Sequence, residues 1–354
     1  MGSDNRKNKA TLISRESDEM SLDFALLSEE LRKRGFKVDV LCRLQEKKIS
    51  LSQIGYLAHI AKQIRSINSS DVVILDTYCI PISMLPHHKG LEVIQMWHAL
   101  SAVKKFGWQT VGREDGTSEK VARLMRMHRG YDHVLCSSDV TAEYFCEAFD
   151  TDRARIVKLG LPRIDYILKD DPETAKAIED TYPQLKSDRK NILYAPTFHK
   201  GRGVDVSGLT AAVDTGRYNL IIKLHPLDTS TDTDGIESEN IIFDRQYNSY
   251  DLFRVADIII SDYSSLVVEA SLADKPLFLY TYDRDEYSKT TGLNMKFEDE
   301  AIGKYTFDNA ADLVKALRED YDLEALRAFR DKYIDVNTDN CTGQIADYIE
   351  SVLR

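Results

Sequence analysis

Two histidines stand directly after short apolar runs, where their side chains could take part in acid–base chemistry. His98 follows Trp97 at the end of the run Glu92–Met96, and His225 follows the run Asn219–Leu224. Because the ordinary pKa of histidine is about 6.5, a neutral imidazole can accept a proton near pH 7. The alternative is a structural histidine at either position, and the spacing alone leaves both interpretations open.

A hydroxyl-rich turn, Asp262-Tyr263-Ser264-Ser265, lies between an apolar run and a predicted helix. A helix N-terminus presents unpaired N–H groups that suit a phosphate, and Ser264 and Ser265 add hydroxyl donors. Glu269 is four residues after Ser265, on the same helix face one turn further, where a carboxylate could accept hydrogen bonds from a ribose. The alternative is an ordinary helix cap formed by Asp262 or Ser264, with Glu269 in solvent.

Basic residues are concentrated between residues 104 and 129 of this acidic chain. Lys120, Arg123 and Arg126 recur at every third position of a predicted helix, so they share one face. Such a stripe could bind an anionic polymer or lipid headgroups, and the alternative is a solvated face paired with nearby carboxylates. The other basic members are Lys104, Lys105, His128 and Arg129, and the nearby carboxylates are those of Glu114, Asp115 and Glu119.

Several familiar kinds of site lack support in the sequence. It contains no GxGxxG, GxxxxGK[ST] or GxSxG motif, which disfavours dinucleotide-binding, P-loop and α/β-hydrolase sites of the usual type. The five cysteines form no CxxC pair and no Cys/His cluster with zinc spacing, so we expect reduced thiols, no metal and no cofactor. No apolar run is long enough to span a bilayer.

The elements that must position these residues alternate between strands and helices in the first half of the chain. This alternation predicts βαβ units around a parallel sheet covered on both faces. The predicted strands are Ala10–Ser14, Phe36–Leu41, Asp71–Asp76, Glu92–Met96, His133–Ser137 and Arg155–Leu159. The predicted helices are Leu22–Arg34, Ile54–Ser66, Ser118–Arg129 and Val140–Phe149.

The same alternation restarts in the second half and predicts a second sheet. Its predicted strands are Asn191–Ala195, Asn219–Leu224, Ile241–Phe243, Asp257–Ser261 and Leu277–Tyr280. Its predicted helices are Thr210–Thr215, Ser249–Val255, Ser264–Leu272 and Ala310–Arg318. Gly and Pro in Gly160-Leu161-Pro162-Arg163 mark the expected boundary. We therefore predict an N-terminal domain over residues 9–160, a C-terminal domain over 161–335, and a helix over 336–354 that packs back across both.

Ligands of parallel sheets bind outside the carboxyl ends of the strands. If both sheets direct those ends at one cleft, the two histidines and the serine turn converge there. Thr197 follows the predicted strand Asn191–Ala195, and Lys223 is near the end of the predicted strand Asn219–Leu224.

The composition is that of a folded protein with two domains. The chain has 354 residues, of which 43% are hydrophobic and 30% charged, which is typical of globular proteins. Asp and Glu number 58 against 47 Lys and Arg, so the formal net charge is −11 and nucleic acid is not an expected partner. The opening Met1-Gly2-Ser3 is typical of a cloning remnant, and the natural protein could carry a further N-terminal segment.

Four motifs in this order resemble one known family. They are Ile94–Leu100, Tyr194–Phe198, Lys223–Pro226 and Ser261–Ser265, with sequences IQMWHAL, YAPTF, KLHP and SDYSS. The series is similar to that of the CDP-glycerol glycerophosphotransferases, which include the teichoic acid primases and polymerases. Gly160–Arg163 also resembles the interdomain turn of that family. The match extends over most of the chain.

The resemblance implies a GT-B fold, in which two Rossmann-like domains with doubly wound parallel sheets face an active-site cleft. It also implies a CDP-activated polyol phosphate donor, bound by the C-terminal domain, and a lipid-linked acceptor, bound by the N-terminal domain. Members of the family work at the cytoplasmic face of the cell membrane, so we expect a peripheral membrane protein. The residues expected to contact the acceptor or the membrane are Lys104, Lys105, Lys120, Arg123 and Arg126.

The family's chemistry also implies roles for the singled-out residues. His98 would remove the proton of an acceptor hydroxyl, which would attack the β-phosphorus of CDP-glycerol and release CMP. His225 would assist at the diphosphate, and Glu269 would hold the cytidine ribose. The donor phosphates would be held by Ser264, Ser265, Thr197 and Lys223.

Three alternatives stay open at this point. The donor could be CDP-ribitol, because the nucleotide motifs would be the same. A GT-B glycosyltransferase that uses a nucleotide sugar would share the scaffold. A non-catalytic anion-binding protein would bind the nucleotide without turnover.

Overall fold

The structure, a computed structural model, describes residues 8–44, 52–113, 116–197, 203–225, 228, 230–236, 238–284 and 292–354, with only the backbone considered at 52–56. Within this part the chain forms two compact units. Unit 1 is Met1–Asp165 together with Tyr333–Arg354, and unit 2 is Tyr166–Lys332. Each unit is built on its own parallel sheet.

The sheet of unit 1 has six strands, all parallel to their neighbours. They are β1 (Lys9–Ser14), β2 (Lys37–Cys42), β3 (Val72–Leu75), β4 (Glu92–Gln95), β5 (His133–Cys136) and β6 (Ile156–Lys158). Their order across the sheet is β2-β1-β3-β4-β5-β6. The six strands predicted for the first half are confirmed, each within one residue at either end.

The sheet of unit 2 has the same size and is also parallel throughout. Its strands are β7 (Lys190–Tyr194), β8 (Tyr218–Ile222), β9 (Ile241–Phe243), β10 (Ile258–Ser261), β11 (Leu277–Tyr280) and β12 (Thr306–Phe307). Their order is β12-β11-β10-β7-β8-β9. The five predicted strands are confirmed within two residues, and β12 was not predicted.

Helices connect the strands along the chain. They are α1 (Leu22–Lys33), α2 (Ser52–Ile67), α3 (Ile80–Met84), α4 (Glu119–Leu124), α5 (Asp139–Phe149), α6 (Pro162–Leu168), α7 (Pro172–Thr181), α8 (Ser207–Ala212), α9 (Ser249–Leu252), α10 (Leu266–Ala270), α11 (Ala310–Ala316), α12 (Leu323–Tyr333) and α13 (Cys341–Val352). Five predicted helices extend at least two residues past the end of the observed α-helix, namely Ser118–Arg129, Thr210–Thr215, Ser249–Val255, Ser264–Leu272 and Ala310–Arg318. The prediction for Ser118–Arg129 is wrong after Leu124, and the prediction for Ser264–Leu272 covers α10 and a following 3-10 turn.

The central strands are continuous apolar runs because helices cover both faces of a parallel sheet. All four side chains of β3 and all five of β8 are buried. Helix α1 begins after Ser21, whose hydroxyl accepts a hydrogen bond from the Phe24 N–H at 3.3 Å. This cap directs Phe24, Leu27 and Leu31 into the core of unit 1.

In both sheets the order of the strands reverses at the first strand, because later strands are added on both of its sides. In unit 1 the chain adds β2 on one side of β1 and β3 on the other. In unit 2 it adds β8 on one side of β7 and β10 on the other. Such switch points leave an opening at the carboxyl ends of two adjacent strands, where ligands of α/β sheets bind. In this fold the openings lie beyond β1 and β3, and beyond β7 and β10.

The C-terminal helix α13 belongs to unit 1. Its first residues are held by the Asp165 carboxylate, which accepts hydrogen bonds from the Cys341 and Thr342 N–H groups at 2.6 and 2.8 Å. Arg34, at the end of α1, pairs with Asp347 at 2.5 Å. Unit 1 is therefore completed by a segment that follows unit 2 in the sequence. Within the described residues, no helix combines the length and the hydropathy needed to cross a bilayer.

Candidate active site

In unit 1, His98 is anchored to the end of the neighbouring strand. Its Nδ1 lies 2.9 Å from the main-chain carbonyl oxygen of Asp76, which directly follows β3. A carbonyl oxygen can only accept a hydrogen bond, so Nδ1 must carry the proton. The neutral ring then has its lone pair on Nε2, and this nitrogen is the one able to accept a proton.

The electrostatic surroundings of His98 keep the ring neutral. Burial lowers the pKa of His98, and the Arg163 guanidinium lowers it further. The Glu16 and Asp23 carboxylates and the hydrogen bond to Asp76 act in the opposite direction but do not reverse the shift. A histidine with a lowered pKa is an available base at pH 7, because it is already deprotonated.

The residue before His98 has an unusual backbone conformation. Trp97 has φ of +61°, in the left-handed region that a residue with a side chain rarely occupies. Its N–H donates to Gln95 Oε1 at 2.9 Å, and Gln95 Nε2 donates to the Thr77 carbonyl at 3.0 Å. The Trp97 ring also stacks on Phe106, with centroids 4.4 Å apart. The fully buried Gln95 thus fixes the turn that presents His98.

A buried ion pair also acts on the pKa of the base. Asp23, in the first turn of α1, accepts hydrogen bonds from the Arg163 N–H at 2.8 Å and from Arg163 Nε at 2.9 Å. Arg163 Nη2 also donates to the same carboxylate. Both side chains are buried, so each charge depends on the other for its stabilisation.

In unit 2, the ends of β7 and β10 are joined by a buried carboxylate. Asp262 accepts hydrogen bonds from the Thr197 N–H at 2.8 Å and from the Thr197 hydroxyl at 2.5 Å. Ser261 Oγ adds a bond of 2.8 Å to the Ala195 carbonyl. The Thr197 hydroxyl proton is therefore used within the protein, which makes Thr197 a residue that positions the Asp262 turn.

The serine turn begins α10 at the same edge of the sheet. Ser264 Oγ accepts a hydrogen bond from the Leu266 N–H at 3.2 Å, as a capping residue does, and both serines are partly exposed. Glu269 is only 1% exposed. The alternative that placed Glu269 in solvent is thus wrong, whereas its role at a ribose stays a prediction.

Lys223 and His225 lie beyond β8, next to β7 in the sheet. Lys223 is paired with the buried Asp244, with Nζ and Oδ2 2.8 Å apart. This ion pair was not predicted, and it holds the Lys223 ammonium within unit 2. His225 is exposed, and its carbonyl accepts a hydrogen bond from the Asp228 N–H at 2.8 Å. The predicted donor-binding residues of unit 2 thus follow three adjacent strands, β10, β7 and β8.

The predicted basic stripe is shorter than expected. Helix α4 ends at Leu124, so Arg126 is not on the same helical face as Lys120 and Arg123. His128 is buried and belongs to the aromatic core of unit 1 rather than to the stripe. Arg123 pairs with Glu119 at 2.8 Å, as the solvated alternative predicted, and Lys104 and Lys105 are half-buried. Glu114 and Asp115 lie outside the described residues.

Sequence reasoning missed the residues that act on His98 from other elements. The main-chain carbonyl of Asp76 accepts a hydrogen bond from the His98 ring, and the Gln95 side chain binds the Trp97 N–H and the Thr77 carbonyl. The Asp23–Arg163 pair joins residues 140 positions apart. The available signal was positional, because Asp76 directly follows a buried strand next to β4.

Comparison with known proteins shows that the chain is similar to one family over nearly its whole length. A family model described as CDP-glycerol:poly(glycerophosphate) glycerophosphotransferase matches residues 2–351. A teichoic acid ribitol-phosphate primase of Bacillus spizizenii is 30% identical, with 98% of this chain and 92% of that protein aligned. A teichoic acid glycerol-phosphate primase of Bacillus subtilis is 28% identical over 83% of this chain and 77% of its own length.

The fold is similar to that of a solved enzyme structure. The wall teichoic acid polymerase TagF superposes with a TM-score of 0.74 at 21% identity, covering 98% of this chain and 89% of the TagF chain. Together with the two six-stranded parallel sheets, this similarity confirms the predicted GT-B fold.

Proposed function

Because the chain belongs to the CDP-glycerol:poly(glycerophosphate) glycerophosphotransferase family, it is a polyol-phosphotransferase, and we propose that His98 is its general base. The substrates are a CDP-activated polyol and the terminal hydroxyl of a polyol phosphate or lipid-linked acceptor. The products are CMP and an acceptor extended by one polyol phosphate.

The hydrogen bond from His98 Nδ1 to the Asp76 carbonyl is the observation that carries this proposal. It leaves Nε2 as the acceptor of the proton, and burial keeps the ring neutral by lowering its pKa. The arrangement is the one a hydroxyl-activating base requires, and a carbonyl serves as the orienting group.

The proposed reaction is a single displacement at phosphorus. His98 Nε2 removes the proton of the acceptor hydroxyl while its oxygen attacks the β-phosphorus of the CDP-polyol. The bond from this phosphorus to the bridging oxygen breaks, and that oxygen leaves with CMP. The proton on His98 passes to solvent before the next turnover. A phosphodiester replaces a diphosphate, so charge on the leaving oxygen has to be offset.

Groups of unit 2 offset this charge in our proposal. Ser264 and Ser265 hold the diphosphate by their hydroxyls, and His225 contributes a donor beyond β8. Thr197 acts by holding Asp262 in place. Lys223 adds a positive charge, which its ion pair with Asp244 partly neutralises. Glu269 holds the cytidine ribose. Support comes from the adjacency of β10, β7 and β8 at one sheet edge.

The donor alcohol has two candidates, and each has a specific observation in its favour. The family description names CDP-glycerol, which we propose as the donor. The similarity to a ribitol-phosphate primase over 98% of the chain favours CDP-ribitol as the second candidate. Incubation with either donor and a lipid-phosphate primer, followed by measurement of CMP release, distinguishes the two. If no CMP is released from CDP-glycerol or from CDP-ribitol, the proposed function is contradicted.

Substitution of the base tests the mechanism directly. We expect His98→Ala to lower kcat by about 10²- to 10⁴-fold, as loss of a general base does. His87 is a matched control, because its ring also binds a main-chain carbonyl, that of Ile82 at 2.7 Å. His87→Ala should keep kcat within a few-fold of the unmodified enzyme. A folded His98→Ala enzyme with unchanged kcat would end the role of this residue as base.

We further propose that α4 contacts the membrane that carries the acceptor. Val121 and Leu124 on this helix are 47% and 68% exposed, and Lys120 and Arg123 beside them are exposed cations. Apolar side chains flanked by cations suit an anionic bilayer surface, where each cation contributes about 1 kcal/mol. Lys120→Gln with Leu124→Gln should reduce sedimentation with phosphatidylglycerol vesicles more than sedimentation with neutral vesicles, because only the anionic surface attracts Lys120. Equal sedimentation of both proteins with anionic vesicles would contradict this contact.

A further inference from the structure

A cavity of about 230 Å³ opens in unit 1 beside the candidate base. It lies beyond β1 and β3, at the switch point of the sheet, because Arg15 and Glu16 follow β1 and Thr77 follows β3. Its walls include the rings of Tyr78 and Trp97. All of the described residues that line it belong to unit 1.

The chemistry of the walls is that of a site for a small, hydroxylated anion. The Arg15 guanidinium lies over the Tyr78 ring, 4.8 Å from its centroid, which fixes the direction of its planar donors. Thr77 and Thr110 line the same space. Arg15 and Glu16 are the basic and acidic side chains among the described lining residues, apart from His128. Burial and the Arg15 charge lower the pKa of His128 to about 3, so its ring is neutral at pH 7.

The two charges are not equivalent. Arg15 is half-buried against the aromatic wall, whereas Glu16 is exposed at the rim. A partly buried guanidinium interacts strongly with a phosphate, because little solvent screens it. An exposed carboxylate at the rim can accept hydrogen bonds from neighbouring hydroxyls. The pair therefore suits a phosphate ester that also carries a diol.

Two residues that line the cavity, Trp97 and Glu16, connect it to the base, His98. Trp97 directly precedes His98, and their ring centroids are 4.2 Å apart. Glu16, at the rim, is the charged group with the largest effect on the pKa of His98. A ligand in the cavity therefore lies next to the residue that takes the proton of the attacking hydroxyl.

From these observations we propose that this cavity binds the terminal polyol phosphate unit of the acceptor, with Arg15 on its phosphate and the Trp97 and Tyr78 rings against its carbon chain. The inference rests on the proposed function, because that function supplies the chemistry of the acceptor. It assigns to the first unit an acceptor subsite distinct from the serine turn. Its size suits one polyol phosphate rather than a longer segment.

A binding experiment tests the cavity without catalysis. The chain has two tryptophans, so Trp108→Phe leaves Trp97 in the cavity wall as the fluorescent reporter. A soluble trimer of glycerol phosphate or ribitol phosphate should change this emission saturably. Arg15→Gln in the same background should raise Kd by about 10- to 100-fold, the usual effect of losing a charged hydrogen bond. Arg15→Lys, which keeps the charge but not the planar fork, should give a smaller increase.

Arg153→Gln is the matched control for net charge. Arg153 is in unit 1 but does not line the cavity, and it pairs with Asp139. This variant should bind the trimer as the reporter protein does. The proposal is overturned if neither trimer changes the emission, if Arg15→Gln leaves Kd unchanged in a folded protein, or if CMP competes with the trimer.

Steady-state kinetics separate this inference from the proposed function. With a productive CDP-polyol, Arg15→Gln should raise the KM for the acceptor by at least about tenfold and leave the donor KM unchanged. A rise in the donor KM alone would overturn the acceptor assignment while leaving the transferase function intact. Saturable trimer binding without CMP release from either donor would instead support the cavity and contradict the proposed function.

Discussion

Gln95 offers the sharpest test of how the fold positions the base. Its fully buried amide accepts a hydrogen bond from the Trp97 N–H at 2.9 Å and donates one to the Thr77 carbonyl at 3.0 Å. Gln95→Leu keeps the approximate volume of the side chain but removes both bonds. The change therefore isolates the polar role of this residue from its packing role.

The expected cost follows from the two groups that lose a partner. Each main-chain group left unsatisfied in a buried place costs about 1–3 kcal/mol. Trp97 can recover part of this by leaving its left-handed conformation, which costs about 1–2 kcal/mol to maintain. The net loss in the free energy of unfolding should thus be about 1–4 kcal/mol. Because relaxation of Trp97 moves His98, and a displacement of about 1 Å can cost 10²-fold, kcat should fall by about 10²-fold.

Urea denaturation and CMP release measure the two effects separately. Gln63→Leu is a suitable control, since Gln63 is another buried glutamine of unit 1, and its amide contacts His59 rather than the His98 turn. We expect Gln63→Leu to lower stability but to keep kcat. Unchanged kcat for Gln95→Leu, in a protein that has lost stability, would refute the idea that Gln95 positions the base.

Three further predictions follow from charges in unit 1. Because burial lowers the pKa of His98, the acid limb of kcat/KM should lie below pH 6.5, and a limb above 6.5 would contradict a neutral buried base. Asp23→Ala should cost about 3–5 kcal/mol in urea denaturation by leaving Arg163 buried and unpaired, and Asp23→Leu with Arg163→Met should recover most of it; equal losses would contradict the ion-pair reasoning. Burial raises the pKa of Asp76 to about 7 from 3.8, so its contribution to stability is fully present below pH 3.8 and is lost as the pH rises to 7. Asp76→Asn should therefore gain up to about 4 kcal/mol relative to the unmodified protein between pH 4 and 8, and parallel pH profiles would show that Asp76 does not titrate there.

The strands were predictable because each central strand is a continuous apolar run. A strand of a doubly covered parallel sheet has to be apolar on both faces, so β3 and β8 are visible in the sequence alone. β12 was missed because its two residues, Thr306 and Phe307, are too short for any periodicity. Strand ends also located the histidines and the serine turn, since ligand-binding residues of such sheets follow the strands.

Helix α4 shows where local sequence information fails. The polar and apolar spacing continues to Arg129, yet Arg126 and His128 adopt left-handed conformations with φ of 45° and 60°. Side chains distant in sequence take the carbonyls that a longer helix would use, with Tyr78 OH donating to Met125 O at 2.7 Å and Trp108 Nε1 to Met127 O at 3.0 Å. Tertiary hydrogen bonds thus override the helical pattern, and no window along the chain contains them.

The same reason explains which parts of the site were missed. His98 was identified from its place after a strand, but its tautomer depends on a carbonyl 22 positions earlier. The resemblance predicts that Lys223 contacts a phosphate, which stays a prediction. Its ion pair with Asp244, on another strand end, was not predicted. Residue type and spacing indicate which groups are available for chemistry. Their partners follow from the order in which the strands are arranged.

The division of unit 1 into two stretches of sequence reverses the usual order of folding during synthesis. Residues up to Asp165 leave the ribosome first, but α13 emerges only after the whole of unit 2. At about 5–20 residues per second, the nascent first stretch waits roughly 10–30 s for that helix. Throughout this interval the surface of α1 that receives Asp347 has no partner from α13, and Asp165 has no Thr342 to hold. A chaperone that shields this surface on the ribosome would therefore raise the yield of native protein, and slower translation of the second unit would lower it.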